Sequence, residues 1–107
     1  MPSISVIIST YNKPHFLEKV LTGYCFQTFN DFEIIIADDG SSNETKEMIA
    51  KFDQLLPQKI YHVWHEDNGF RKCKILNAAI LKSSNDYLVF SDGDCIPDSR
   101  FLETHSR

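Results

Sequence analysis

Four short apolar runs constrain this chain more than any other feature: residues 4–9 (ISVIIS), 32–37 (FEIIIA), 60–64 (IYHVW) and 87–90 (YLVF). They are nearly continuous rather than alternating, the pattern of strands covered on both faces. Between them, apolar residues recur at helical spacing. Pro14 suits a first helical turn, and Phe16, Leu17, Val20 and Leu21 carry the pattern to about Cys25. Ser42 is a plausible N-cap, with Glu44 and Thr45 in the first turn and Met48, Ile49 and Phe52 facing inward. Pro57 punctuates the next connection. Ile75, Leu76, Ala79 and Ile80 mark a third helix ending near residues 83–85, and a further helix starts at about residue 98. The order βαβαβαβ predicts an α/β fold: a three-layer α/β/α arrangement with a mainly parallel sheet and right-handed crossovers. No internal repeat or composition shift divides residues 1–107, which read as one domain.

The balance of 42% apolar and 24% charged residues is ordinary for a globular chain and argues against disorder. A net charge of −4 gives no support to a nucleic-acid-binding face. No apolar stretch reaches the roughly 20 residues that span a bilayer, and Met1-Pro2-Ser3 lacks the basic start of a signal peptide. Cys25, Cys73 and Cys95 form no metal-site spacing and read as reduced thiols of a cytoplasmic protein, peripheral at most at the inner face of a membrane. His62 and His65 either share a site or lie on a strand surface, the second being the simpler expectation.

A polar loop follows every strand: Thr10-Tyr11-Asn12, Asp38-Asp39-Gly40, Glu66-Asp67-Asn68-Gly69 and Asp92-Gly93-Asp94. A parallel sheet gathers its strand C-termini on one edge, where ligands of open α/β sheets bind. Helix N-termini on that edge favour anions, yet the loops are rich in carboxylates. An anion held through a divalent cation reconciles the two. In extended backbone Asp92 and Asp94 project to one side, and hard oxygen ligands suit Mg²⁺ or Mn²⁺ bridging a diphosphate. A lone Asp-Gly-Asp is weak evidence, since such turns are common on surfaces. No GxGxxG follows the first strand and no GxxxxGK[ST] occurs, which removes a dinucleotide fingerprint and a P-loop. Asp38-Asp39 would also suit a phospho-accepting receiver domain, although a clear fifth strand and its terminal Lys are missing.

Taken together, "SVIISTYNKPHFLEKVLTGYCFQTFNDFEIIIADDGSSNET", "EDNGFRKCKILNAAI" and "YLVFSDGDCIPDSRFLETH" resemble, in order, the donor-site blocks of a family-2 glycosyltransferase. The resemblance implies a Rossmann-like GT-A N-terminal half that binds a nucleotide-diphospho-sugar, a UDP-sugar being favoured. Thr10, Tyr11 and Asn12 would line the nucleotide pocket, with Tyr11 near the base. Asp39, preceded by Asp38, would accept from a uracil N3–H. Asp67, Asn68, Gly69 and Arg71 would close over the nucleotide. Asp92 and Gly93 would lie beside the ribose and metal, with Asp94 the direct ligand of Mn²⁺ or Mg²⁺ and Asp92 assisting. Simpler roles stand beside these. Tyr11 would cap the sheet, Arg71 pair with Asp67, Lys72 and Lys74 form a solvated helix face, Asn77 bond to backbone, Cys95 fill space and His105 occupy an ordinary helix position.

The resemblance also implies inverting sugar transfer to a glycan, lipid-linked or cell-envelope acceptor. The carboxylate base for that step is expected beyond Arg107, so a donor-binding half ending after the Asp-Gly-Asp motif is expected to bind nucleotide but transfer little alone. The alternatives are a non-catalytic nucleotide-binding or regulatory module and the receiver-like signalling domain. An exposed sheet edge is expected to favour a homo-oligomer.

Overall fold

The computed structural model describes residues 3–66, 72–85, 87–92 and 96–105, excepting the side chains of 72 and 73. The chain runs β1 (Ile4–Thr10), α1 (Pro14–Cys25), β2 (Phe32–Asp38), α2 (Asn43–Leu55), β3 (Ile60–Trp64), α3 (Lys72–Lys82), β4 (Tyr87–Asp92) and α4 (Phe101–His105). All strand pairings are parallel, in the spatial order β3-β2-β1-β4. Every position of β2 is buried, as is all of β1 but Ser9, whereas β3 and β4 are partly exposed edge strands. The expectation of strands covered on both faces therefore holds for the central pair alone.

The alternation of side chains along each strand builds two cores. Ile4, Val6 and Ile8 of β1, Ile34 and Ile36 of β2 and Val89 of β4 pack with Leu17, Val20, Leu21 and Tyr24 of α1, with Met48, Ile49 and Phe52 of α2, and with Leu102 of α4. On the other face Ile7, Ile35 and Ala37 meet Ile75 and Ala79 of α3, with Tyr61, Val63 and Leu88 against them. The three layers are thus α1, α2 and α4, then the sheet, then α3. The chain steps from β1 to β2 to β3 in one direction, and α3 carries it back to the far side of β1. The strand order reverses between β1 and β4, which opens a crevice at their C-terminal ends.

Element boundaries differ from the sequence expectations where hydrogen bonding extends a strand. Thr10, Asp38 and Asp92 are strand residues, paired Thr10 with Asp38 and Ser9 with Asp92. Helix α2 continues to Leu55 and α3 stops at Lys82. Helix α4 begins at Phe101 rather than near 98, because the Asp98 carboxylate accepts the Arg100 N–H at 2.9 Å and its carbonyl the Phe101 N–H at 3.0 Å. Pro14 opens α1 as expected. Ser42 precedes α2, but its hydroxyl makes no cap bond.

The segment after β4 is clamped to the end of α1. The Gln27 side chain donates to the Asp98 carbonyl at 2.7 Å and accepts the Leu102 N–H at 3.0 Å, and the Thr28 N–H donates to the Ser99 carbonyl at 2.9 Å. Gly23 faces Pro97 so closely that a Cβ there would lie 2.8 Å from the proline Cδ. On the α3 face of the sheet, near the strand N-termini, Glu33 accepts from the Ser5 hydroxyl at 2.6 Å and the Ser84 N–H at 2.7 Å, which anchors the α3–β4 connection.

Candidate nucleotide site at the strand C-termini

The β1–α1 and β2–α2 loops are stitched together at the sheet edge. Asn12 adopts φ 46°, a left-handed conformation that asparagine tolerates better than most residues. Its side-chain carbonyl accepts the Ser42 N–H at 2.8 Å, and its own N–H donates to the Ser41 hydroxyl at 2.7 Å. Asn12 thus ties the β1–α1 loop to the residue that precedes α2. The Asp39 N–H donates to the Thr10 carbonyl at 3.1 Å, and Gly40 turns the chain with φ 95°. The Thr10 hydroxyl is buried and has no hydrogen-bond partner. Tyr11, beside it, is exposed.

Asp38 and Asp39, adjacent in sequence, differ in environment. Asp38 has 0% exposure. One carboxylate oxygen accepts the Ser41 N–H at 2.9 Å and the other lies 2.7 Å from His62 Nε2. Its charge is used inside the protein, to hold the turn into α2. Asp39 lies one residue beyond the strand, where its Oδ1 meets His65 Nε2 in a short contact. The Trp64 indole donates to the Ser41 carbonyl at 3.0 Å and is half exposed beside the same loop.

Asp92 lies at the reversal point of the sheet. The Ser9 hydroxyl, its neighbour in register, donates to its Oδ1 at 2.9 Å. The two residues line a cavity of about 160 Å³ with Ile7, Leu76, Phe90 and Ser91, between the sheet and α3. Among the described residues no group of three His, Cys, Asp or Glu side chains surrounds a metal position.

Of the residues expected at the site, Thr10, Tyr11, Asn12, Asp38, Asp39 and Asp92 come to one sheet edge. Asp67, Asn68, Gly69, Arg71, Gly93 and Asp94 lie outside the described residues, as does Cys95. Lys74 and Asn77 are exposed on α3. His105 packs edge-on against Phe101, ring centroids 4.9 Å apart, an ordinary helix-end contact. Cys25 is a free thiol whose pKa partial burial raises. Sequence reasoning missed Ser9, Ser41 and Trp64 as partners, and it offered His62 and His65 a shared site only as the less simple of two readings. His62 lies in the middle of β3 and His65 just beyond its end, and each meets one of the two aspartates.

The strand order 3-2-1-4, with carboxylates and helix starts along one sheet edge, defines a Rossmann-like α/β domain with a ligand crevice at the β1–β4 reversal. A receiver domain has a different strand order, and the buried Asp38 offers it no accessible phospho-acceptor. The family model described as glycosyl transferase family 2 matches residues 5–105, and the chain belongs to that family. A chondroitin synthase of Escherichia coli is 31% identical over 103 residues, covering 95% of this chain and 15% of that enzyme. The S. aureus TarS 1-349 structure in complex with UDP-GlcNAc aligns with a TM-score of 0.81 at 24% identity, over 97% of this chain and 30% of that one. The mannosyltransferase PcManGT from Pyrobaculum calidifontis, in complex with GDP-Man and Mn²⁺, aligns at 0.80 and 23%, over 92% and 29%. Its structural neighbours are GT-A glycosyltransferases, whose fold the chain shares. The chain spans about a tenth to a third of the length of the curated relatives it matches.

Proposed function

We propose that this chain is the donor-binding half of a glycosyltransferase, holding a nucleotide-diphospho-sugar at the C-terminal edge of β1, β2 and β4. The observation that supports this is that β1, β2 and β4, parallel neighbours distant in sequence, bring Thr10, Asp39 and Asp92 to one sheet edge. Asp39 accepts from the base, a uracil being the favoured partner. Thr10 and Tyr11 line the nucleoside pocket, and Asn12 holds the loop that shapes it. Asp38 acts through that loop, by fixing the turn into α2. Asp67, Asn68, Gly69 and Arg71 belong to the β3–α3 connection and close over the nucleotide.

A divalent cation fits the donor set. Mg²⁺ and Mn²⁺ keep several waters and need only one or two carboxylates besides substrate phosphates. Asp92, oriented by Ser9, and Asp94, two residues on, supply hard oxygen ligands of that kind, and Gly93 between them lets the chain approach a ligand closely. When bound, the cation neutralises charge on the diphosphate leaving group. The acceptor hydroxyl and the base that deprotonates it are served by residues outside this crevice. The acceptor is a glycan or a lipid-linked sugar, and the protein works in the cytoplasm.

Titration of UDP into the chain by calorimetry, with and without Mn²⁺, tests this. Binding is expected with Mn²⁺, and weakening by at least about ten-fold in its absence or in Asp94→Ala, the scale of one lost charged contact. No binding of any nucleoside diphosphate in the presence of Mn²⁺ would refute the proposal.

A further inference from the structure

Two histidines three residues apart meet two adjacent aspartates, and the two pairs face different ways. The His62–Asp38 pair closes inward: the Asp38 side chain has 0% exposure, and both its oxygens have partners inside the fold. The His65–Asp39 pair lies just beyond the ends of β3 and β2. The register sets Asp38 beside Trp64, so the next residues, Asp39 and His65, leave the sheet side by side. There His65 Nε2 contacts Asp39 Oδ1, and the side chains retain 16% and 10% of their surface at the C-terminal edge of the sheet.

We propose that His65 is a positioning residue for nucleobase recognition, and that it gives the site its preference for a base presenting an imide N–H. This rests on the donor-site assignment of Asp39 above. An ionised carboxylate only accepts, so the nitrogen facing Asp39 Oδ1 is an N–H donor in either charge state of the ring. The contact removes rotational freedom that Asp39 would otherwise lose on binding a base, so that cost is met during folding. A fixed anionic acceptor attracts the N3–H of uracil and repels the N3 lone pair of cytosine. Without His65 a mobile carboxylate would still carry its charge but discriminate less.

The test measures UDP and CDP affinities of the 107-residue chain with Mn²⁺. The wild type is expected to prefer UDP. His65→Ala is expected to lose about ten-fold in UDP affinity, as for a hydrogen bond to a charged group, with CDP affinity changed less than about two-fold. His65→Gln, which keeps an N–H donor, should recover most of the preference. Equal UDP affinity in His65→Ala and wild type would overturn the proposal, as would parallel losses for UDP and CDP, the mark of a merely structural residue. Failure of the wild type to bind any nucleoside diphosphate would overturn the donor-site assignment as well, so the two failures are distinct. If His65→Ala does not fold, the wild-type imidazole nitrogen resonances decide. The His65 Nε2 signal is expected to move with UDP more than with CDP, and an unmoved signal overturns the proposal.

Discussion

Asp38 and Asp39 share a side-chain chemistry and a peptide bond, yet the fold gives them separate work. Asp38→Ala would strand the buried Ser41 N–H and the His62 ring without their acceptor. A buried polar group left unsatisfied costs about 1–3 kcal/mol, so a loss of about 2–4 kcal/mol is expected in urea denaturation. Asp39→Ala leaves the His65 ring without its acceptor but strands no buried backbone N–H, and is expected to cost about 1–2 kcal/mol in the same measurement, while abolishing the preference for UDP over CDP. Equal destabilisation by the two substitutions would contradict the division of roles. Asn12 belongs with Asp38: its side chain spans two loops and makes the site's shape, in a backbone conformation that few other residues accept.

At the scale of elements, the site depends on where β4 delivers Asp92 and on what holds the chain beyond it. The clamp is the end of α1, through Gln27 and the close approach of Gly23 to Pro97. Replacing Gly23 by Ala would gain about 0.5–1 kcal/mol of helix propensity. It would also drive a methyl to 2.8 Å from a proline ring that cannot rotate aside. Overpacking of that kind costs about 1–3 kcal/mol. A net destabilisation of about 1 kcal/mol is expected in urea denaturation, together with weaker Mn²⁺-dependent UDP binding, because this contact holds the chain that follows the metal ligands proposed above. Unchanged stability and binding would show that the α1 contact does not position the site.

At the scale of the whole molecule, β3 and β4 each pair with a single neighbour among the described strands. Edge strands with free backbone groups recruit other chains, and β4 adds the half-exposed Phe90 and the partly exposed Tyr87. The isolated chain is expected to self-associate at high concentration in sedimentation velocity, and Phe90→Lys to suppress it. A monomer at every concentration would contradict this.

Much of the architecture was legible in the sequence because burial dictates pattern. A strand covered on both faces must be apolar throughout, and a helix on one face must repeat at 3.6 residues, so the element order and the parallel sheet followed from residues 4–9, 32–37, 60–64 and 87–90. Parallel strands share a direction, so the arrival of residues 10–12, Asp38, Asp39 and Asp92 at one sheet edge followed as well. Which of two neighbouring carboxylates turns inward was not legible. That depends on the strand–strand register, which sets Asp38 opposite Trp64 and brings His62 and His65 to the two acids. Register is a long-range property, decided by the simultaneous packing of both cores. The sequence by itself therefore determined the layers, the site's edge and its acidic character. Only the tertiary structure decided which acid is enclosed in the fold and which stands beyond the strand end, because hydrogen-bond partners distant in sequence are chosen by packing and carry no local pattern.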